Sequence, residues 1–159
     1  MGASTITKPN AVIFDMDGTL ADVSGIRHYI VPPTPKPKNW YKDFHAFHAE
    51  SVNVPVNISV RDHAIRASLL GNAVLVVTAR RAMFRHQTAW FLALHGIPSD
   101  ALYMRGDKDG RPDYEVKKDI LASIQTRYNV IHAVDDNPSV IALWEENGIS
   151  TTVVEGFGF

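Results

Sequence analysis

Two carboxylate pairs stand where apolar runs end: Asp15-Met16-Asp17-Gly18-Thr19 follows residues 11–14 (AVIF), and Asp135-Asp136 follows residues 130–134 (VIHAV). Either pair alone reads as a turn after a strand, where Asp and Gly are common. Together they gather acids at the ends of two buried strands, and burying neighbouring carboxylates is costly unless a cation neutralises them. A donor set of oxygen atoms alone, without His or Cys, points to magnesium, Mg2+. An ion between Asp15 and Asp135 would screen a phosphate's charge from the carboxylate that attacks it. Asp15 can then act as a nucleophile. Asp17 could protonate the leaving alkoxide and later deprotonate water. A halide would leave without such an acid, so Asp17 favours phosphate esters over carbon–halogen bonds.

A cation must also hold the phosphoryl oxygens. Lys117 and Lys118 are the candidates, and helical spacing chooses between them. Lys117 shares a face with Ile120, Leu121 and Ile124, so it lies on the apolar stripe, while Lys118 points toward water. Thr78, just past residues 74–77 (VLVV), would donate its hydroxyl to the same phosphoryl group, although a strand-end threonine is more often structural.

These groups need a scaffold that brings distant segments to one edge. Residues 11–14, 73–77 and 130–134 read as strands buried on both faces, with 151–154 a weaker fourth. Helical patterns cover 60–70, 82–94 closed by Gly96, 114–126, and 138–147 closed by Gly148, the last with Asn137 as N-cap and Pro138 at N1. Strands alternating with helices imply parallel pairing, hence a Rossmann-like, doubly wound α/β sheet. Such sheets carry their chemistry at the carboxyl ends of the strands, where Asp15, Thr78 and Asp135 fall.

The remaining features bound the function. A chain of 159 residues and 17.6 kDa, 45% hydrophobic, implies a single domain over 1–159, with 21–57 a small cap insertion. Four prolines within 31–38 forbid a regular helix there. Sixteen Lys and Arg against seventeen Asp and Glu leave a net charge of −1, so a polyanion would have to meet a local basic patch. The absence of cysteine excludes disulfides, thiolate catalysis and Cys-ligated metals, and fits a cytoplasmic location. There is no export signal and no apolar run approaching the roughly 20 residues that span a bilayer, so a soluble protein without a membrane partner is expected.

The same motifs match in order the four signatures of the haloacid dehalogenase superfamily: hhhhDxDGT at 11–19, hhhT at 75–78, the helix-borne Lys117, and hhDD at 133–136. That resemblance implies a Rossmann-like sheet, magnesium, Asp15 as nucleophile, Asp17 as acid/base with its backbone carbonyl on the metal, and Asp135 and Asp136 as metal residues. More closely, FDMDGTLADVSGIR, VVTAR, DYEVKKDIL and AVDDNPSVIALWEENGI resemble the 3'-phosphatase domain of bacteriophage-type polynucleotide kinase/phosphatase. This implies substrate contacts from Arg27, Arg80, Asp113 and Thr19, with the register after Gly25 shifted by one residue. It also implies a substrate that is a 3'-phosphorylated DNA or RNA end. A small-molecule phosphatase such as a nucleotidase is the alternative, and a binding module with a degenerate site a remote one. No GxxxxGK[ST] occurs, so no P-loop can cradle ATP phosphates and a kinase half, if it exists, is expected on another polypeptide; a separate kinase or ligase is the expected partner.

Secondary candidates are weighed on residue type. Lys36, Lys38, Trp40, Tyr41 and Lys42 interleave basic and aromatic groups that could meet phosphates and stack a base, although a solvated cationic loop is the commoner reading. Arg80, Arg81, Arg85 and His86 form a second basic cluster, with Arg81 and Arg85 on one helix face. His45 and His48 are expected to be structural or on the surface, and His132 a hydrogen-bonded core residue. Asp113 could cap its helix, position a substrate-binding arginine, or do both.

Overall fold

A computed structural model describes residues 7–156. The first apolar run forms β1 (Asn10–Phe14), and the chain then passes through a 3-10 turn (Ser24–Tyr29) and α1 (Phe44–Glu50) to α2 (Ile58–Leu69). There follow β2 (Ala73–Arg81), α3 (Arg85–Leu94), β3 (Ala101–Arg105), α4 (Asp113–Gln125), β4 (Asn129–Asp135), α5 (Pro138–Glu146) and β5 (Ser150–Val153). The five strands form one parallel sheet in the order β3-β2-β1-β4-β5, the doubly wound α/β arrangement.

Alternating strand residues feed two cores. Val12, Phe14, Val74 and Val76 meet α2 and α3, whereas Ala11, Ile13, Leu75 and Val77 meet α4 and α5. Burial on both faces explains why these strands appear in sequence as unbroken apolar runs. The α5 start behaves as its residues dictate: Pro138 occupies the first turn and the Asn137 side chain accepts from the Ser139 N–H.

Four segments differ from sequence expectation. β3 was not foreseen, because this edge strand is mostly half-buried and carries no run of β-branched residues. α1 was likewise unmarked beside the proline-rich stretch; Asp43 caps it, accepting from the Ala46 N–H at 2.9 Å. The helix expected over 82–94 begins only at Arg85, since β2 runs on to Arg81 and a short 3-10 turn (Ala82–Phe84) intervenes. Arg81 therefore ends a strand and does not share a helix face with Arg85, whose guanidinium donates to the Leu102 carbonyl. His132 is half-buried, its ring nitrogens bonded to the Ser150 and Thr152 hydroxyls on β5.

Register sets the geometry that matters. β1 pairs with β4 so that Phe14 faces Val134, and the Asp15 N–H continues the ladder onto the Val134 carbonyl. Asp15 and Asp135 thus leave the sheet side by side. Gly18, with φ of 82°, supplies the left-handed turn that folds Thr19 back under Asp15. Beyond β5 the chain crosses these same loops: a Cβ on Gly156 would collide with the Gly18 carbonyl oxygen and lie 2.6 Å from Asp136 Oδ2, so only glycine fits. Among the described residues no helix is long and apolar enough to cross a membrane.

Phe91 is fully buried in the α2/α3 core, and Leu70 is 81% exposed. Phe91→Ala is expected to cost about 3–5 kcal/mol in urea unfolding. Leu70→Ser should stay within about 0.5 kcal/mol of the parent, a contrast that checks the assignment of the core.

Candidate active site

The carboxyl ends of β1, β2 and β4, the first turn of α4 and the cavity-facing side of α1 enclose a cavity of about 290 Å3. Asp15, Asp17, Thr78, Arg80, Asp113, Lys117, Asp135 and Asp136 all line it. Of the residues expected to act as catalytic, metal-binding or substrate-binding groups, Thr19 and Arg27 do not. The Thr19 hydroxyl is fully buried and donates to Asp15 Oδ2 at 3.0 Å, with Asp136 Oδ1 at 3.4 Å, so it braces the carboxylates from behind. Arg27 lines a separate hollow with Gly18, Asp22 and Asn57.

Lys117 is 2% exposed and its Nζ bridges Asp15 Oδ1 at 2.8 Å and Asp135 Oδ2 at 2.9 Å. Asp135 Oδ1 accepts from the backbone N–H groups of Asp136 and Asn137 at the start of α5, so both oxygens are engaged. Burial alone would lower the lysine, but the carboxylates of Asp135 and Asp15 outweigh it and push its pKa up. Burial raises Asp15 well above the usual carboxylate range, with Lys117 opposing and Asp135 and Asp136 reinforcing the shift. Oxygens of Asp15, Asp135 and Asp136 lie within 4.8 Å of one another. Three buried carboxylates facing a single ammonium leave an excess of two negative charges when ionised, and this donor set fits a divalent cation.

Asp17 is held apart from that cluster. The Arg80 guanidinium forks onto it, with Nε at 2.9 Å from Oδ2 and Nη2 at 2.6 Å from Oδ1, while Nη1 donates to Thr88. Burial would raise the Asp17 carboxyl, but the charge and hydrogen bonds of Arg80 prevail and hold it below its ordinary value. Thr78 accepts from the Arg80 N–H, which ties the two β2 residues together.

Two residues outside the sequence candidates complete the cavity. His48 was expected to be structural or exposed, yet it forms part of the wall with Nε2 3.9 Å from Asp17 Oδ2. Burial lowers its pKa to about 4. A signal existed in the i, i+3, i+4 spacing of Phe44, Phe47 and His48, which puts all three on one helical face. Arg105 ends β3 and is nearly buried; it donates to the carbonyls of Ala79, Asp109 and Arg111 and to Asp113 Oδ1 at 2.7 Å. Asp113 therefore pairs with Arg105, and it makes no cap bond because Pro112 occupies the N-cap. Arg105 was hidden because β3 itself went unread. Lys36, Lys38, Trp40, Tyr41 and Lys42 do not line the cavity.

With this geometry, residues 9–159 match the model of the polynucleotide kinase PNKP phosphatase domain. The chain belongs to that family. A chain in the Pnkp1/Rnl/Hen1 RNA repair complex is similar to it, at 28% identity and a TM-score of 0.77, covering 99% of this chain and 48% of the other. A protein of Autographa californica nuclear polyhedrosis virus, described as a bifunctional polynucleotide kinase/RNA ligase, is 27% identical over 146 residues, which is 90% of this chain and 19% of that one. The chain thus spans about half the length of the solved relative and about a fifth of the viral one. The class C acid phosphatase from Bacillus anthracis, at 14% identity and a TM-score of 0.70, covers 94% of this chain and 68% of that one and shares the fold.

In this member of the family Lys117 is the ammonium that balances Asp15 and Asp135. Lys117→Met leaves those carboxylates buried without it and should cost about 3–5 kcal/mol in metal-free urea unfolding. Adding Asp15→Asn to that variant should recover part of the loss, because one of the two stranded charges is then removed.

Proposed function

We propose that this chain is a magnesium-dependent phosphomonoesterase that removes 3'-terminal phosphates from DNA or RNA through an aspartyl-phosphate on Asp15. The observation that carries the reading is that a family member holds Asp15 against Lys117 and Asp17 against Arg80 in one cavity. Asp15 attacks phosphorus and the ester oxygen leaves with a proton from Asp17. Asp17 then takes a proton from water, which attacks the acyl-phosphate and releases inorganic phosphate. The sequence expectations for these groups are carried forward as the proposal: Thr78 and Lys117 hold phosphoryl oxygens, and Arg80 contacts substrate. An anionic phosphate competes with Asp17 for the Arg80 fork, so substrate binding itself frees the acid/base group.

Mg2+ would be held by Asp15, Asp135 and Asp136, with the Asp17 carbonyl, and would screen the charge between nucleophile and phosphate. Thr19 supports the nucleophile from behind, and Arg105 positions Asp113 and the loop leading to α4. Segment 21–57 acts as a small cap, a role supported by Ile30, Phe44, Phe47 and His48 in the cavity wall. A kinase step, named in the viral relative, would come from elsewhere than this sequence, which has no GxxxxGK[ST], and a ligase would be a separate partner.

The deciding measurement is kcat/KM, with magnesium, for a short oligonucleotide bearing a 3'-phosphate against the matching nucleoside 3'-monophosphate. A preference of about a hundredfold, roughly 2.7 kcal/mol of transition-state binding, is expected, and Asp15→Asn should abolish both activities while remaining folded. Parity between the substrates would make the chain nucleotidase-like.

The raised Asp15 pKa adds a pH-dependent prediction. The folded protein holds that proton more tightly than the unfolded chain. The stability it contributes is therefore full below the ordinary carboxylate range and is lost as pH rises through the raised value. Magnesium should raise Tm, and the increment should grow over the same pH interval. Asp136→Asn should shrink the increment.

A further inference from the structure

The catalytic groups account for one side of the cavity; the opposite wall is apolar and comes from the 21–57 segment, chiefly Ile30, Phe44 and Phe47. Phe47 is 3% exposed and belongs to the core, whereas Phe44 keeps 48% of its surface open to solvent. An aromatic ring left half-bare beside a catalytic cavity keeps π surface open to a ligand, with the exposed Lys42 side chain standing loosely over it. It is also braced: the His48 ring lies 6.0 Å from it, and His48 is itself set 5.5 Å from both Phe47 and Phe84. Exposed Tyr41 and half-buried Trp40, just before α1 in the chain, do not line the cavity.

Charge at the rim has a direction. Arg111 is committed to Asp109 and Asp119, and Arg105 to Asp113. Lys42 stands with its Nζ 6.0 Å from the centre of the Phe44 ring. The exposed side chain of Arg81, at the end of β2 in the cavity lining, makes no hydrogen bond or ion pair among the described residues, while its backbone pairs with β3. A cavity of about 290 Å3 sits at the bottom of the range for small-molecule sites. It takes a phosphoryl group and little more than one nucleoside, so a longer chain extends beyond it; Phe44 and Arg81 are exposed residues of its lining, and Lys42 stands next to Phe44.

We propose that Phe44 is the platform on which the base of the terminal nucleoside stacks, with Lys42 and Arg81 facing the phosphate that follows it. The proposal rests on the nucleic-acid-end reading above and names the group that would make the enzyme favour a nucleoside over a bare sugar phosphate. Stacking suits a site that must act on any end, because every base offers a π-face and no hydrogen-bond code is read.

The test uses two oligonucleotides with 3'-phosphates that differ only in the last residue, one carrying a base and one an abasic sugar. The parent protein should favour the base-bearing end in kcat/KM by about 5- to 150-fold, the range that one base–aromatic stack supplies. Phe44→Ala should bring that ratio close to one, as should Phe44→Leu, which keeps the helix and the apolar bulk but removes the π-face; Phe44→Trp should preserve it. A parent that cleaves both ends equally, or a Phe44→Leu variant that keeps the full ratio, overturns the platform and leaves the end-phosphatase reading standing. A parent that hydrolyses small phosphate esters but neither oligonucleotide overturns that reading, and the platform with it.

Discussion

The ammonium of Lys117 is the constraint on which the site depends. Asp15 and Asp135 emerge, both buried, from adjacent parallel strands, and both turn an oxygen toward the same buried nitrogen. Charges that close in a low-dielectric setting repel strongly, and one cation with good hydrogen-bond geometry makes their proximity tolerable. It does not make the site neutral, since Asp136 adds a third carboxylate. The residual negative charge suits a divalent cation, and the raised Asp15 pKa reflects burial first, with Asp135 and Asp136 adding to it.

Arg80 performs a parallel separation. Asp17 is only two residues from Asp15, yet its carboxylate points to a different cation and is held in the opposite protonation tendency, lowered where Asp15 is raised. Two like acids in one motif are thereby given different chemistry by their surroundings. The backing is rigid on both sides: Thr88 and the Phe84 carbonyl behind Arg80, Thr19 behind Asp15, and the start of α5 behind Asp135. Arg105 extends the frame to the loop before α4 through three carbonyls and one carboxylate, so the lysine helix and the loop are anchored at one point.

Aromatic and basic groups distribute differently from what their spacing in the chain suggests. The interleaved stretch 36–42 carries the stronger compositional signal for a nucleic-acid surface, but Trp40 is engaged with Lys36 and the stretch stays outside the cavity. The wall is built instead by α1, whose short run of Phe and His has little sequence signature.

Sequence by itself determined the sheet class, the four catalytic signatures and their order along the chain, because runs buried on both faces and acids at their ends are local patterns. It also singled out Lys117 over Lys118, since helical periodicity alone puts one on the apolar stripe. Tertiary structure decided what those residues face. Thr19 and Arg27 are drawn away from the cavity by the turns that follow β1, while the partnership of Asp113 with Arg105 and the entry of His48 depend on β3 and α1. One is an edge strand too sparsely apolar to announce itself, and the other a capped helix of about two turns beside prolines. Side-chain pairing across the mouth of a sheet is a contact between segments far apart in the chain, and no local pattern encodes it.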